Sequence, residues 1–224
     1  MIYILNIETS TTVCSVSLSG NGELICHREL DAGFTHAENL HLFVQQIVRE
    51  SGISLKKLNA VAISKGPGSY TGLRIGVSSA KGLAYALNLP LIGVDTLQLM
   101  CNHPLIPKPT GASCCPMIDA RRMEVYTGLY DTELKQQLQI EALIVDENSV
   151  RKYKNYPKLY FFGNGMNKCV DILKSLANAE FIENVVPSAQ YMCSLSFEKF
   201  KAGKFEDVAY FEPFYLKDFL MLKK

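Results

Sequence analysis

Residues 64–76 read SKGPGSYTGLRIG. The stretch follows an apolar run, NAVAIS (59–64), and opens a segment that reads as a helix over 70–87. Glycines and a proline between strand and helix suit a loop whose backbone N–H groups converge at a helix N-terminus, where phosphates bind. The spacing fits neither common phosphate pattern. No lysine follows Gly72, as G-x-x-x-x-G-K-[ST] requires, and Gly66, Gly68 and Gly72 hold one residue too many for G-x-G-x-x-G. The plain alternative is a tight turn in which Pro67 fixes φ and the glycines permit unusual angles.

The helix behind the loop says more. Gly72, Gly76, Ala80 and Ala84 stand four apart and form a small-residue stripe down one face. An interior glycine costs a helix about 0.8–1.0 kcal/mol relative to alanine. Gly76 and Gly82 therefore imply close approach by another element. The chain's own sheet and a second subunit both satisfy that requirement.

Upstream, YILNIE (3–8), VCSVSLS (13–19) and ELICHREL (23–30) read as three strands, the last two joined through GNG (20–22). Thr35 and Glu38 have capping-box spacing, and Leu40, Phe43, Val44, Ile47 and Val48 recur with helical period, so 36–50 is expected to be an amphipathic helix ended by Gly52. PLIGVD (90–95) is a further strand. The order βββαβαβ indicates an α/β fold: an antiparallel hairpin edge, then strands separated by helices that pair in parallel.

The proline-rich HPLIPKPTGA (103–112) marks a boundary between an N-terminal lobe, 1–105, and a C-terminal lobe, 106–224. Beyond it PMIDARRMEVYTGLY (116–130) echoes the start of the chain, because in both an apolar run ends in an acid (Ile7-Glu8; Ile118-Asp119) before an alternating segment. The remainder reads as strands near 141–145 and 159–163, helices near 167–178 and 189–201, and a terminal apolar tail.

A chain of 224 residues is long enough for one large domain or two lobes of about 100 residues. The balance of 23 basic and 22 acidic residues leaves no bulk electrostatic footprint for nucleic acid, although a local basic patch is compatible with it. Seven scattered cysteines without a C-x-x-C pair argue against a disulfide framework or zinc site, and Cys114 and Cys115 read as buried thiols. No apolar run reaches 18 residues and the start MIYILNIETS has no basic region, so a cytoplasmic location is expected. His36 and His41 diverge by about 140° around a helix and suit surface positions better than one ion. Glu8 and Asp119 end apolar strands, where both functional acids and turn residues occur. GNG (163–165) is a second possible phosphate loop or an ordinary turn.

ILNIETST (4–11), the helix from His36, SKGPGSYTGLRIGVSSAKGLA (64–84), MIDARRMEVY (117–126) and FEPFYLK (211–217) together resemble the TsaB (YeaZ-type) family, strongly over the first 130 residues and thinly over 131–205. The resemblance implies an actin-like, Hsp70-like ATPase fold of two related lobes, and a role in making threonylcarbamoyladenosine in tRNA. It implies a non-catalytic scaffold that pairs with TsaD and works with TsaE. Alone, the chain would form a homodimer, and tRNA would be met indirectly through the complex, with no membrane involved. TsaD-type relatives carry two metal-binding histidines in a V-N-H-x-x-G-H pattern; here the place reads GVDTLQLM (93–100), and His103 alone does not rebuild the site. No catalytic residue, metal site or intrinsic cofactor is therefore expected, and ATP binding is expected to be weak or absent. A glycoprotease-type metallopeptidase and a small-molecule kinase using Glu8 or Asp119 are the competing functions.

Carried onto this sequence, the resemblance places the subunit contact on the two helices at Gly72, Arg74, Gly76, Val77, Ala80, Ala84, Leu40 and Val44, with Ala80→Arg expected to release the partner from a folded chain. Residual nucleotide contacts would fall at Thr9, Ser10, Gly163 and Gly165.

Overall fold

The computed structural model describes residues 1–33 and 35–217, so the terminal part of the expected apolar tail lies outside the described residues. The first five strands are β1 (Tyr3–Glu8), β2 (Val13–Gly20), β3 (Glu23–Asp31), β4 (Ala60–Gly66) and β5 (Leu91–Asp95). They form a sheet in the order β3-β2-β1-β4-β5. β1 pairs antiparallel with β2 and parallel with β4, and β4 pairs parallel with β5, as the sequence order requires. The helices α1 (His36–Ser51), α2 (Tyr70–Leu87) and the short α3 (Thr96–Cys101) supply the connections.

The second half repeats this plan. β6 (Ala112–Asp119), β7 (Glu124–Asp131), β8 (Gln136–Ile144), β9 (Lys158–Phe162) and β10 (Ala179–Ile182) lie in the order β10-β9-β6-β7-β8. Replacing each first-half strand by the one five places later converts one order into the other, and the pairing directions match. The echo at Glu8 and Asp119 thus belongs to a repeated five-stranded unit.

Local chemistry explains most boundaries. Gly52 ends α1 in the left-handed region at φ 67°, and Asn88 ends α2 at φ 52°. The expected capping box does not form. Thr35 adopts φ −94°, ψ 22°, not the extended shape of an N-cap, and its hydroxyl makes no cap hydrogen bond. Its carbonyl oxygen serves the helix start instead, accepting from the backbone N–H of Glu38 and Asn39 and from the Asn39 side chain at 3.0–3.2 Å. Two other expectations shrink. The 167–178 helix reduces to a 3₁₀ turn and α4 (Val170–Leu173), and the 189–201 helix to a 3₁₀ turn and α5 (Cys193–Lys201). β10, four residues long, gave no periodic signal.

The described residues divide into two units, one of residues 1–99 with 187–214 and the other of 100–186 with 215–217. The division at 105/106 therefore misplaces 187–214. An alternating strand such as β2 ordinarily shows its polar face to water, yet all eight β2 residues are buried. Residues 189–201 cover the serine face. Ser17 Oγ donates to the Ala189 carbonyl at 2.8 Å, the Ala189 N–H donates to Ser15 Oγ at 2.8 Å, and Ser196 Oγ donates to Asn6 Oδ1 at 2.6 Å. On the other face, Leu5, Ile7, Val16, Leu40, Ile47 and Ile63 join α1 and α2 to the sheet. The second unit has its own core around Val125, Leu129, Leu159, Phe161 and Leu173. Among the described residues no helix is long and apolar enough to cross a membrane.

Candidate functional site

The loop after β4 spends its polar groups on its own chain. Ser69 caps α2, its hydroxyl accepting from the Gly72 N–H at 3.3 Å, while its own N–H donates to the Ser10 carbonyl at 2.6 Å. Thr9 Oγ1 donates to the Gly72 carbonyl at 2.8 Å. A Cβ on Gly68 would strike the Ser10 carbonyl oxygen, one on Gly72 the Thr9 carbonyl oxygen, and one on Gly76 the Thr9 hydroxyl. The glycines are needed because the β1–β2 turn packs directly against them. Thr9 and Ser10, expected as nucleotide contacts, are both 0% exposed and face this packing.

Glu8 sits at the end of β1 beneath that turn, fully buried, one carboxylate oxygen accepting from the Ser10 N–H and the other without a partner. Burial pushes its pKa up. The Ser10 and Ser64 hydroxyls lie close enough to favour the charged form, but neither meets hydrogen-bond geometry, and burial outweighs them.

The GNG turn at 163–165 is the second unit's copy of the same feature. Gly163, just past β9, has φ +101° where Gly66, the last residue of β4, has φ +113°. The Gly165 N–H donates to the Met117 carbonyl at 3.0 Å, and Asn164 Oδ1 accepts from the Asp119 N–H at 2.9 Å. A Cβ on Gly165 would lie 2.9 Å from that same nitrogen. Gly163 and Gly165 thus brace the end of β6. Asp119 differs from Glu8 in reaching solvent, where it pairs with Lys168.

The metal pattern of TsaD-type proteins has no counterpart in the donors present. Asp95 faces Lys65 at 3.5 Å, and the half-buried Lys199 donates to the Gly93 carbonyl at 2.6 Å, with its pKa lowered by burial. Two cations beside one carboxylate oppose a metal ion. Among the described residues no group of three His, Cys, Asp or Glu is placed to hold one.

α2 carries two rows of residues four apart, on opposite faces. The row singled out from the sequence faces inward: Gly72, Gly76, Ala80 and Ala84 are buried, as are Val77 and, on α1, Leu40 and Val44. These seven expected contact residues pack against their own sheet and helices, so they are not available to a partner. Arg74 is the exception. It is exposed, reaches the Tyr70 hydroxyl at 3.4 Å and lies 5.4 Å from the centre of that ring. It begins the outward row, Arg74, Ser78, Gly82 and Ala86, with Tyr85 beside it at 83% exposed. Between α1 and α2 this face holds an open groove of about 370 Å³ lined by Ala37, His41, Arg74, Ile75, Ser78 and Ser79, and the largely buried Leu40 also lines it. His41 Nε2 and Ser79 Oγ approach to 3.4 Å across it. A Cβ on Gly82 would meet nothing within 4 Å, so no packing inside the chain requires that glycine. Sequence reasoning did not single out this row, since its small residues begin behind an arginine; burial sets it apart.

Residues 31–218 match the family model described as TsaD, tRNA N6-adenosine threonylcarbamoyltransferase. The whole chain is 34% identical to the tRNA threonylcarbamoyladenosine biosynthesis protein TsaB of Escherichia coli, over 99% of this chain and 97% of that protein. The chain belongs to the TsaB family. Its fold agrees with the solved structure of YeaZ from Pseudomonas aeruginosa at a TM-score of 0.82 and 26% identity, over 96% of this chain and 100% of that one. The wider fold is the two-lobed actin-like ATPase type. A likeness at TM-score 0.53 and 10% identity links it to the activator of the 2-hydroxyisocaproyl-CoA dehydratase from Clostridium difficile, solved with bound ADPNP.

Proposed function

We propose that the chain is a non-catalytic subunit of the machinery that makes threonylcarbamoyladenosine in tRNA, and that it acts by docking a TsaD-type threonylcarbamoyltransferase on the outward face of α1 and α2. The observation that carries this reading is Gly82. It costs the helix stability, and no described residue comes within 4 Å of where its Cβ would lie. A partner helix laid along Arg74, Ser78 and Gly82 gives that glycine a use, since small residues let helix backbones come close. Tyr85 and Arg74 flank the row and are the residue types that anchor interfaces.

Family membership supports the pathway, and the closed β1–β2 turn and the lysines beside Asp95 support a subunit that leaves catalysis to its partner. ATP binding by this chain alone is then weak or absent, and a TsaE-type ATPase completes the assembly. Without a transferase the same face pairs with its copy, giving a homodimer. Seven free cysteines suit a reducing cytoplasm. A scaffold of this kind works by favouring its partner's active conformation through contacts made better in that state.

The test is a reconstituted transfer reaction containing tRNA, the threonylcarbamoyl adenylate, ATP, the transferase and the ATPase, with and without this chain. Product that requires this chain together with the transferase, and is absent with this chain alone, is the expected result. Equal product in its absence refutes the role.

A further inference from the structure

The hairpin between β6 and β7 turns through Arg121 and Arg122, both exposed and both at positive φ, 71° and 50°. That region is costly for a residue with a long side chain, and Asn or Gly usually fills it. The β2–β3 hairpin uses such residues, turning through Asn21 and Gly22 at φ 52° and 88°, while the β7–β8 turn places one bulky residue, Leu134, at φ 64°. At the β6–β7 tip two arginines stand where that cheaper pair would serve.

Their charge is not consumed by the fold. The two acids at the base of the hairpin are already occupied, Asp119 by Lys168 and Glu124 by Lys217. Among the described residues no ion pair involves either arginine side chain. The tip is nevertheless held firmly. The Arg121 N–H donates to Asp119 Oδ1 at 2.9 Å, the Ala120 N–H to the Glu124 carbonyl at 3.0 Å, and the Glu124 N–H to the Arg121 carbonyl at 3.1 Å. Asn164 secures the Asp119 backbone from below. Met123, next to Arg122 in the chain, is partly exposed.

We infer that Arg121 and Arg122 form a phosphate-binding tip for the backbone of an RNA. Two guanidinium groups on a fixed hairpin, with neutralised acids beneath, present forked donors suited to phosphodiester oxygens. The neighbouring Met123 thioether, partly exposed, offers an apolar contact to the sugar and base edges of an unpaired strand. The near-zero net charge of the chain does not oppose this, because binding depends on the local field at the tip. The choice of RNA rests on the tRNA-modifying role proposed above. The same phosphate chemistry on a free nucleotide is the competing source.

The full chain with its transferase is titrated with an unmodified tRNA transcript and, separately, with ATP, across a range of salt. Two variants are compared with the wild type, Arg121→Gln with Arg122→Gln, and Arg121→Asn with Arg122→Gly. The second restores residues that suit positive φ, so its melting temperature should equal or exceed the wild-type value while its binding falls. Expected are an affinity for tRNA about tenfold lower in both variants and a log–log salt slope shallower by about 1.4–1.8, two phosphate contacts' worth. In the transfer reaction KM for tRNA should rise while kcat holds. Unchanged tRNA affinity and slope overturn the inference, and so does a loss confined to ATP. A transfer reaction that needs no wild-type chain refutes the pathway role instead, and the direct titration still decides the tip. If both variants bind tRNA normally yet assemble poorly with the transferase, the tip contacts protein and the inference is likewise overturned.

Discussion

Glu8 is the residue whose chemistry the fold alters most. It is buried with one unpaired oxygen, and burial raises its pKa above the ordinary value of 4.5. Between the unfolded and folded values the native state binds the extra proton. Its contribution to stability is therefore complete below about pH 4.5 and is lost as pH rises through the folded pKa. Glu8→Gln should keep the bond from the Ser10 N–H, remove that loss and raise stability at neutral pH, with little change at pH 4; thermal melts across pH would show it. A steeper fall in stability with rising pH for the variant would refute the assignment. Ala80 makes the opposite point. It is 0% exposed in the core, so Ala80→Arg should destabilise the fold by about 3 kcal/mol or more and cannot report on a partner as the sequence suggested. A denaturant midpoint equal to the wild type would contradict this.

At the scale of elements, α2 is a helix with two working faces. Its inward glycines are fixed by the Thr9 turn, whereas Gly82 is open. Gly82→Ala should therefore stabilise the isolated chain by about 0.8–1.0 kcal/mol. Gly82→Arg should leave the chain folded and weaken assembly with the transferase, read by sedimentation of the mixture. Loss of folding in the isolated Gly82→Arg chain, or undisturbed assembly, would remove the outward row as the docking face. The stripe at 72, 76, 80 and 84 was plain in the sequence as a contact, and it is one. Periodicity gives the angle between two rows on a helix and carries no information about which row meets the sheet.

At the scale of the molecule, the five-stranded plan occurs twice, with residues 187–214 returning to complete the first copy. The buried hydroxyls of Ser15 and Ser17 and the amide of Asn6 depend on that return. A chain ended at Val186 would leave this polar face bare. We expect it to lose cooperative unfolding in the first unit, monitored by near-ultraviolet circular dichroism and hydrogen exchange. Native-like protection of β1 and β2 in that truncated chain would show the return segment to be dispensable.

The sequence alone determined the strand and helix order of the first 95 residues, because local turn chemistry and period-matched apolar patterns act over a few residues. It also determined the family, through the GPG string and its neighbours. It showed both glycine turns, at 66–68 and 163–165, without revealing that they are one feature in two copies. Tertiary structure alone decided that the serine face of β2 is covered, that Thr9 and Ser10 point into packing, and that the acids nearest Arg121 and Arg122 pair with lysines instead. Each of these depends on which distant segment arrives at a given surface. Burial and charge neutralisation are properties of that meeting, between residues up to 190 positions apart, and no local pattern encodes it.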